Sequence, residues 1–112
     1  MKRIIITGFE PFGGENINPS WEAVRQLPET IGSLEVFKLR LPVVFGKAAE
    51  LAIAKAGQVR PDVILCAGQA GGRSAVTPEM IAVNIQTASM PDNEGNQPKD
   101  RPCVTGAPAA YF

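Results

Sequence analysis

The sequence predicts an α/β fold built on a parallel sheet. Three apolar runs read as strands: Arg3-Ile4-Ile5-Ile6, Val36-Phe37-Lys38-Leu39-Arg40-Leu41 and Asp62-Val63-Ile64-Leu65-Cys66-Ala67. The two stretches between them carry helical signals. A β-α-β-α-β order requires crossovers, and crossovers make neighbouring strands parallel.

The first strand is short and continuously apolar, the pattern of a strand buried on both faces. Asn18 is placed to cap the first helix with Pro19 at its first position, and the helix is expected to run to about Leu27. The second strand alternates apolar and basic residues, which suits a position nearer a sheet edge. The alanine-rich stretch from Phe45 to Ala56, with Leu51 and Ile53, predicts the second helix. The third strand is again continuously apolar. A fourth is expected over Met80 to Ile85, where Ile81, Val83 and Ile85 alternate with Ala82 and Asn84.

From Pro91 the periodicity stops. Residues 91–112, punctuated by Pro91, Pro98, Pro102 and Pro108, have turn and loop composition. The expectation is a single but incomplete α/β domain over residues 1–112, ending in a loop-rich segment. If both right-handed crossovers advance the sheet in one direction, both helices fall on one face and the other is bare. Parallel sheets are normally covered on both faces. The sequence therefore predicts that covering helices come from a partner, from a second copy in a homo-oligomer, or from a C-terminal part outside these residues.

Composition narrows the function. Eleven basic residues balance eleven acidic ones among 112, and no Lys/Arg stripe supplies an electrostatic footprint for nucleic acid or an anionic membrane. No apolar run approaches the length of a membrane helix, and Lys2-Arg3 precedes too short an apolar stretch to be a signal peptide. Two cysteines without motif spacing do not form a disulfide framework, so a cytosolic, reduced protein is expected.

The segment Thr7-Gly8-Phe9-Glu10-Pro11-Phe12-Gly13-Gly14 joins the first strand to the first helix. A glycine-rich turn in that place can cradle phosphate, and Gly8 and Gly13 have G-x-x-x-x-G spacing. Here, however, Gly14 and Glu15 stand where a phosphate loop has Lys and Ser/Thr, and Glu10 and Glu15 repel anions. Phe9 and Phe12 instead offer two aromatic faces beyond a strand's carboxyl end, where ligands of open α/β sheets bind. They either sandwich a flat, uncharged ring or plug the rim of the domain.

Gly68-Gln69-Ala70-Gly71-Gly72-Arg73 leaves the carboxyl end of the third strand and should face the same crevice. Gln69 carries a donor and an acceptor, suited to an amide or to bonding its own turn. Glu79 is either a solvated strand-end carboxylate or the orienting member of a triad. Histidine is absent from these residues, which removes Cys-His and Ser-His chemistry from within them. Cys66, inside an apolar strand, is expected to act as a small buried hydrophobe, and Cys103 has no neighbouring base to activate it. Asp92, Glu94 and Asn96 alternate but lack the glycine position and closing glutamate of a calcium loop, so a surface turn is expected there. No metal or cofactor is predicted.

Taken together, TGFEPFGG (7–14), NPSWEAV (18–24), LPVVFGKA (41–48), GQAGGR (68–73), TPEMIAVN (77–84), PDNEGNQP (91–98) and GAPAAYF (106–112) closely resemble the pyroglutamyl peptidase I family over the whole chain. The resemblance implies a three-layer α/β/α fold with a mainly parallel, twisted sheet. It also implies a cytosolic cysteine peptidase that removes N-terminal pyroglutamate from peptides with a Glu-Cys-His triad. Family members are about twice this length. Glu79 matches the catalytic glutamate, whereas the catalytic cysteine and histidine fall beyond these residues, and neither Cys66 nor Cys103 matches the nucleophile. Phe9 and Phe12 match the aromatics that enclose the pyrrolidone ring, and Asn18 and Gln69 match positions lining the substrate pocket.

One departure concerns the oxyanion. Thr87-Ala88-Ser89 stands where the family commonly has Asp-Ala-Arg, and Ser89 cannot supply the arginine's charge. The expected function is therefore the pocket-bearing half of a pyroglutamyl peptidase, inactive alone. The alternative is a truncated, non-catalytic binding or interaction module.

Overall fold

The computed structural model describes residues 1–112, which divide into two compact units, Met1–Gln69 and Ala70–Phe112. The first holds a four-stranded sheet and two helices: β1 (Lys2–Phe9), α1 (Pro19–Val24), β2 (Thr30–Ile31), β3 (Leu34–Leu41), α2 (Lys47–Val59) and β4 (Val63–Cys66). The strand order is β2-β3-β1-β4. β1 is parallel to both β3 and β4, with Ile5 opposite Phe37 and Ile64, while the two-residue β2 is antiparallel to β3. This is the predicted mainly parallel α/β sheet, with β1 at its centre.

The strand order corrects the expected placement of the helices. The first crossover leaves β1 toward β3, whereas the second returns across β1 to β4. Two right-handed crossovers running in opposite directions place their helices on opposite faces, which gives three layers. Burial agrees: Ile4, Ile6, Val36 and Val24 form one core cluster with Trp21 and Leu27 packed on it. Ile5 and Thr7, on the other face of β1, are also completely buried, and α2 packs against β1 and β3.

The uncovered surface therefore lies elsewhere than expected. It is on β4, where Val63, Ile64 and Leu65 are 48%, 47% and 54% exposed. Cys66 is exposed with them, contrary to the expected burial. Its apolar run sits on an edge strand of the sheet, paired with β1 on one side, and apolar composition alone does not cover the faces of such a strand.

Both helices form where predicted, with shifted ends. Asn18 caps α1, its side chain accepting from the Ser20 N–H, and the helix gives way after Val24 to tighter turns through Leu27. α2 starts at Lys47 because Gly46 has φ 84°, outside the helical region. It runs to Val59 and ends where Arg60 turns left-handed at φ 54°, since the residue before Pro61 is kept out of the α region.

In the second unit the expected strand over 80–85 is reduced to β5 (Ala82–Val83), paired antiparallel with β6 (Ala110–Tyr111). The alternation continues beyond β5, but its backbone partners come from the turn-rich segment. Asn84 N–H donates to Ala109 O, Gln86 and Arg101 exchange hydrogen bonds, and Ala88 N–H donates to Pro98 O. The Asn84 side chain donates to Val104 O and accepts from Val104 N–H. At the tip, Asp92 Oδ1 accepts from the N–H groups of Glu94 and Asn96, which makes PDNEGNQP the expected surface turn.

One close approach in the first unit can be tested directly. A Cβ placed on Gly8 would lie 2.8 Å from Trp21 Cα and N, so α1 sits directly on β1 at a position only glycine allows. Gly8→Ala is expected to lower stability by about 1–3 kcal/mol in urea unfolding, the usual cost of overpacking. An unchanged midpoint would contradict the close packing.

Candidate functional site

The carboxyl ends of β1, β3 and β4 deliver three loops to one side of the first unit. Because the first crossover runs from β1 to β3 and the second runs back across β1 to β4, the order reverses at β1, which makes this a topological switch point, where an open α/β sheet has its crevice. An open cavity of about 210 Å³ lies there, lined by Phe9, Phe12, Asn18, Val43, Gly68 and Gln69. Phe9 ends β1 and Phe12 lies in the following loop; Val43 follows β3; Gly68 and Gln69 follow β4. None of the six is ionisable. Drug-sized ligands occupy cavities of roughly 300–1,000 Å³, so this one suits a smaller group.

A hydrogen-bond network fixes the aromatic loop. Asn18 is only 3% exposed, and Ser20 is buried beside it. Asn18 Oδ1 accepts from Ser20 N–H at 3.0 Å and from Ser20 Oγ at 2.7 Å. Ser20 Oγ in turn accepts from Phe9 N–H at 2.9 Å, and Asn18 Nδ2 donates to Glu10 O at 3.1 Å. The cap of α1 is thereby tied to the residues on either side of the β1 end. Burial of these polar groups is tolerated because they satisfy one another.

Glu10 extends the network to the next loop. Its backbone N–H donates to Leu41 O at 2.9 Å, and its Oε1 accepts from Val43 N–H at 3.0 Å. The carboxylate is held by a backbone donor from the loop after β3.

This arrangement leaves little for a phosphate. Pro19 has no N–H, and the Ser20 N–H is already taken by Asn18. Gly13 and Gly14 have φ of 64° and 78° and serve to turn the chain back from Phe12 toward α1.

Of the residues singled out from the sequence, the fold gathers Phe9, Phe12, Asn18 and Gln69 around this cavity. Glu79 belongs to the second unit. Its side chain is 79% exposed and lies 3.7 Å from Arg73 Nη1, which also donates to Thr77 Oγ1 at 2.7 Å. Gly68 lines the cavity as expected of its stretch, whereas sequence reasoning missed Val43 as a lining residue and the structural part played by Ser20 and Glu10. Val43 could have been found from its place just past a strand end. Nothing local to Ser20 or Glu10 signals partners so far along the chain.

Comparison with known proteins follows the same residues. The family model described as pyroglutamyl peptidase matches residues 2–112. The pyrrolidone-carboxylate peptidase of Thermococcus onnurineus is 52% identical over 110 residues, covering 98% of this chain and 55% of the relative. That of Levilactobacillus brevis is also 52% identical over 110 residues, covering 98% of this chain and 54% of the relative. Among solved structures, pyroglutamyl peptidase I from Bacillus amyloliquefaciens superposes with a TM-score of 0.94 at 46% identity, covering 99% of this chain and 54% of that one. A mutant pyrrolidone carboxyl peptidase from P. furiosus gives 0.94 at 49% identity, covering 98% and 53%. The chain spans about half the length of the relatives it matches.

The network makes a specific demand on Asn18. Asn18→Ala leaves the Ser20 N–H and hydroxyl and the Glu10 carbonyl without their partner, and is expected to cost about 1–3 kcal/mol. Asn18→Asp keeps the acceptor for Ser20 but sets a carboxylate oxygen against Glu10 O in place of the donor, so it tests whether the Ser20 bonds alone offset that repulsion. Denaturant unfolding of both variants measures the difference, and equal stability of Asn18→Ala and the unsubstituted chain would remove the network from the account.

Proposed function

This chain belongs to the pyroglutamyl peptidase family, and we propose that its cavity receives the five-membered lactam ring of an N-terminal pyroglutamyl residue. The observation that carries this reading is the convergence of Phe9, Phe12, Asn18 and Gln69 on one small uncharged cavity. Two aromatic faces suit a flat lactam, and the amide of Gln69 can both donate to its carbonyl and accept from its N–H. A neutral lactam needs no charge partner, and a charged wall would only be desolvated by it.

The catalytic step follows from the family chemistry. A cysteine thiolate attacks the pyroglutamyl carbonyl, forming a carbon–sulfur bond. The histidine passes a proton to the departing amine as the peptide bond breaks, and water then hydrolyses the thioester. Glu79 is assigned to orient the imidazole. These 112 residues contain no histidine, so they supply the ring pocket and Glu79 but not the base. Cys66 and Cys103, both exposed, are not assigned as nucleophiles. Ser89, where the family commonly has arginine, supplies no charge to an oxyanion. The proposed compartment is the cytosol, consistent with two free thiols.

A second reading is favoured by β4. Its exposed Val63, Ile64 and Leu65 suit a non-catalytic module that associates through this strand, with a second copy or with another polypeptide.

Turnover, ligand binding and oligomeric state decide between these readings. The 112-residue chain should not hydrolyse a pyroglutamyl fluorogenic amide, yet should bind L-pyroglutamamide in an NMR titration, with binding weakened about tenfold or more in Phe9→Ala by loss of an aromatic wall. Turnover abolished by a thiol-alkylating reagent would overturn the triad argument. No binding, together with sedimentation as a dimer, would favour the interaction module.

A further inference from the structure

We propose that Glu10 is a positioning residue that sets the width of the cavity and thereby its preference for a five-membered over a six-membered lactam, an inference that rests on the lactam reading above. Glu10 lies between the two aromatic walls in sequence, and its own side chain is not among the lining residues. Its three polar groups reach three different elements. The N–H donates to Leu41 O at the end of β3, the carbonyl accepts from the Asn18 cap of α1, and Oε1 accepts from Val43 N–H.

Val43 is a wall of the cavity, and it is contributed by a loop separate from the one that carries Phe9 and Phe12. The separation between those walls is therefore fixed by whatever ties the two loops together. The Glu10 side-chain oxygen accepting from the Val43 N–H at 3.0 Å is such a tie. Discrimination by one methylene requires a wall that does not yield, since a pocket free to widen accepts the larger ring with little loss. Glu10 thus acts on selectivity through Val43 and needs no contact with the ligand.

The test uses the 112-residue chain with 2-pyrrolidone and 2-piperidone as probes, titrated by NMR. The unsubstituted chain should prefer 2-pyrrolidone by about tenfold or more, as one methylene does in a shaped apolar pocket. In Glu10→Ala the ratio should fall to near one, and hydrogen exchange at the Val43 amide should accelerate. Glu10→Gln, which keeps an oxygen acceptor, should restore both the ratio and the protection.

Val43→Ala removes the wall while leaving Glu10 in place, and should relax the ratio even if Glu10→Ala fails to fold. An unchanged ratio in Glu10→Ala or in Val43→Ala would overturn the proposal, as would unchanged Val43 exchange in Glu10→Ala. If the unsubstituted chain binds neither lactam, the lactam reading falls and takes the selectivity claim with it. If it binds both equally, the lactam reading survives and the Glu10 proposal alone fails.

Discussion

A buried asparagine holds the functional end of this molecule together. Asn18 caps α1, bonds Ser20 twice, and through Ser20 Oγ and its own Nδ2 reaches both Phe9 N–H and Glu10 O. Placing that amide out of water is favourable only because each of these bonds is made. The close approach of α1 to β1, which Gly8 alone permits, brings Asn18 and Ser20 within reach of the strand's end. Packing sets the distance, and the hydrogen bonds then fix the loop.

The sheet supplies the rest of the site. With β1 central and the two crossovers running in opposite directions across the sheet, the ends of β1, β3 and β4 open on the same crevice. Each contributes a different chemistry: aromatic faces from the first loop, an aliphatic wall from the second, and an amide side chain from the third. No single element could present all three to one small cavity. Glu10 joins the first two loops, which is why a charged residue can matter to a cavity whose lining is uncharged.

Much of this was legible in the sequence. Asn18-Pro19 marks a helix start, and the isoleucines of β1 mark a central strand, because both signals are local. Phe9, Phe12 and Gln69 stand at or just past strand ends, so the crevice rule brings them together from sequence alone. Strand order is not local. Nothing in the runs at 36–41 and 62–67 tells which side of β1 each will take, and the wrong side put both helices on one face. The exposure of Cys66 was hidden for a related reason, since composition reports what a strand would bury and not what is present to bury it. The hydrogen bond from Val43 N–H to Glu10, residues 33 apart, has no sequence signature at all.

The proposed ligand is a flat lactam lying between the rings of Phe9 and Phe12. The most direct measurement is the set of intermolecular nuclear Overhauser contacts between 2-pyrrolidone and the unsubstituted 112-residue chain. Contacts are expected from the ring methylenes to the Phe9 and Phe12 aromatic protons and to the Val43 methyls. Contacts confined to the exposed apolar residues of β4, with none to Phe9 or Phe12, would contradict this placement.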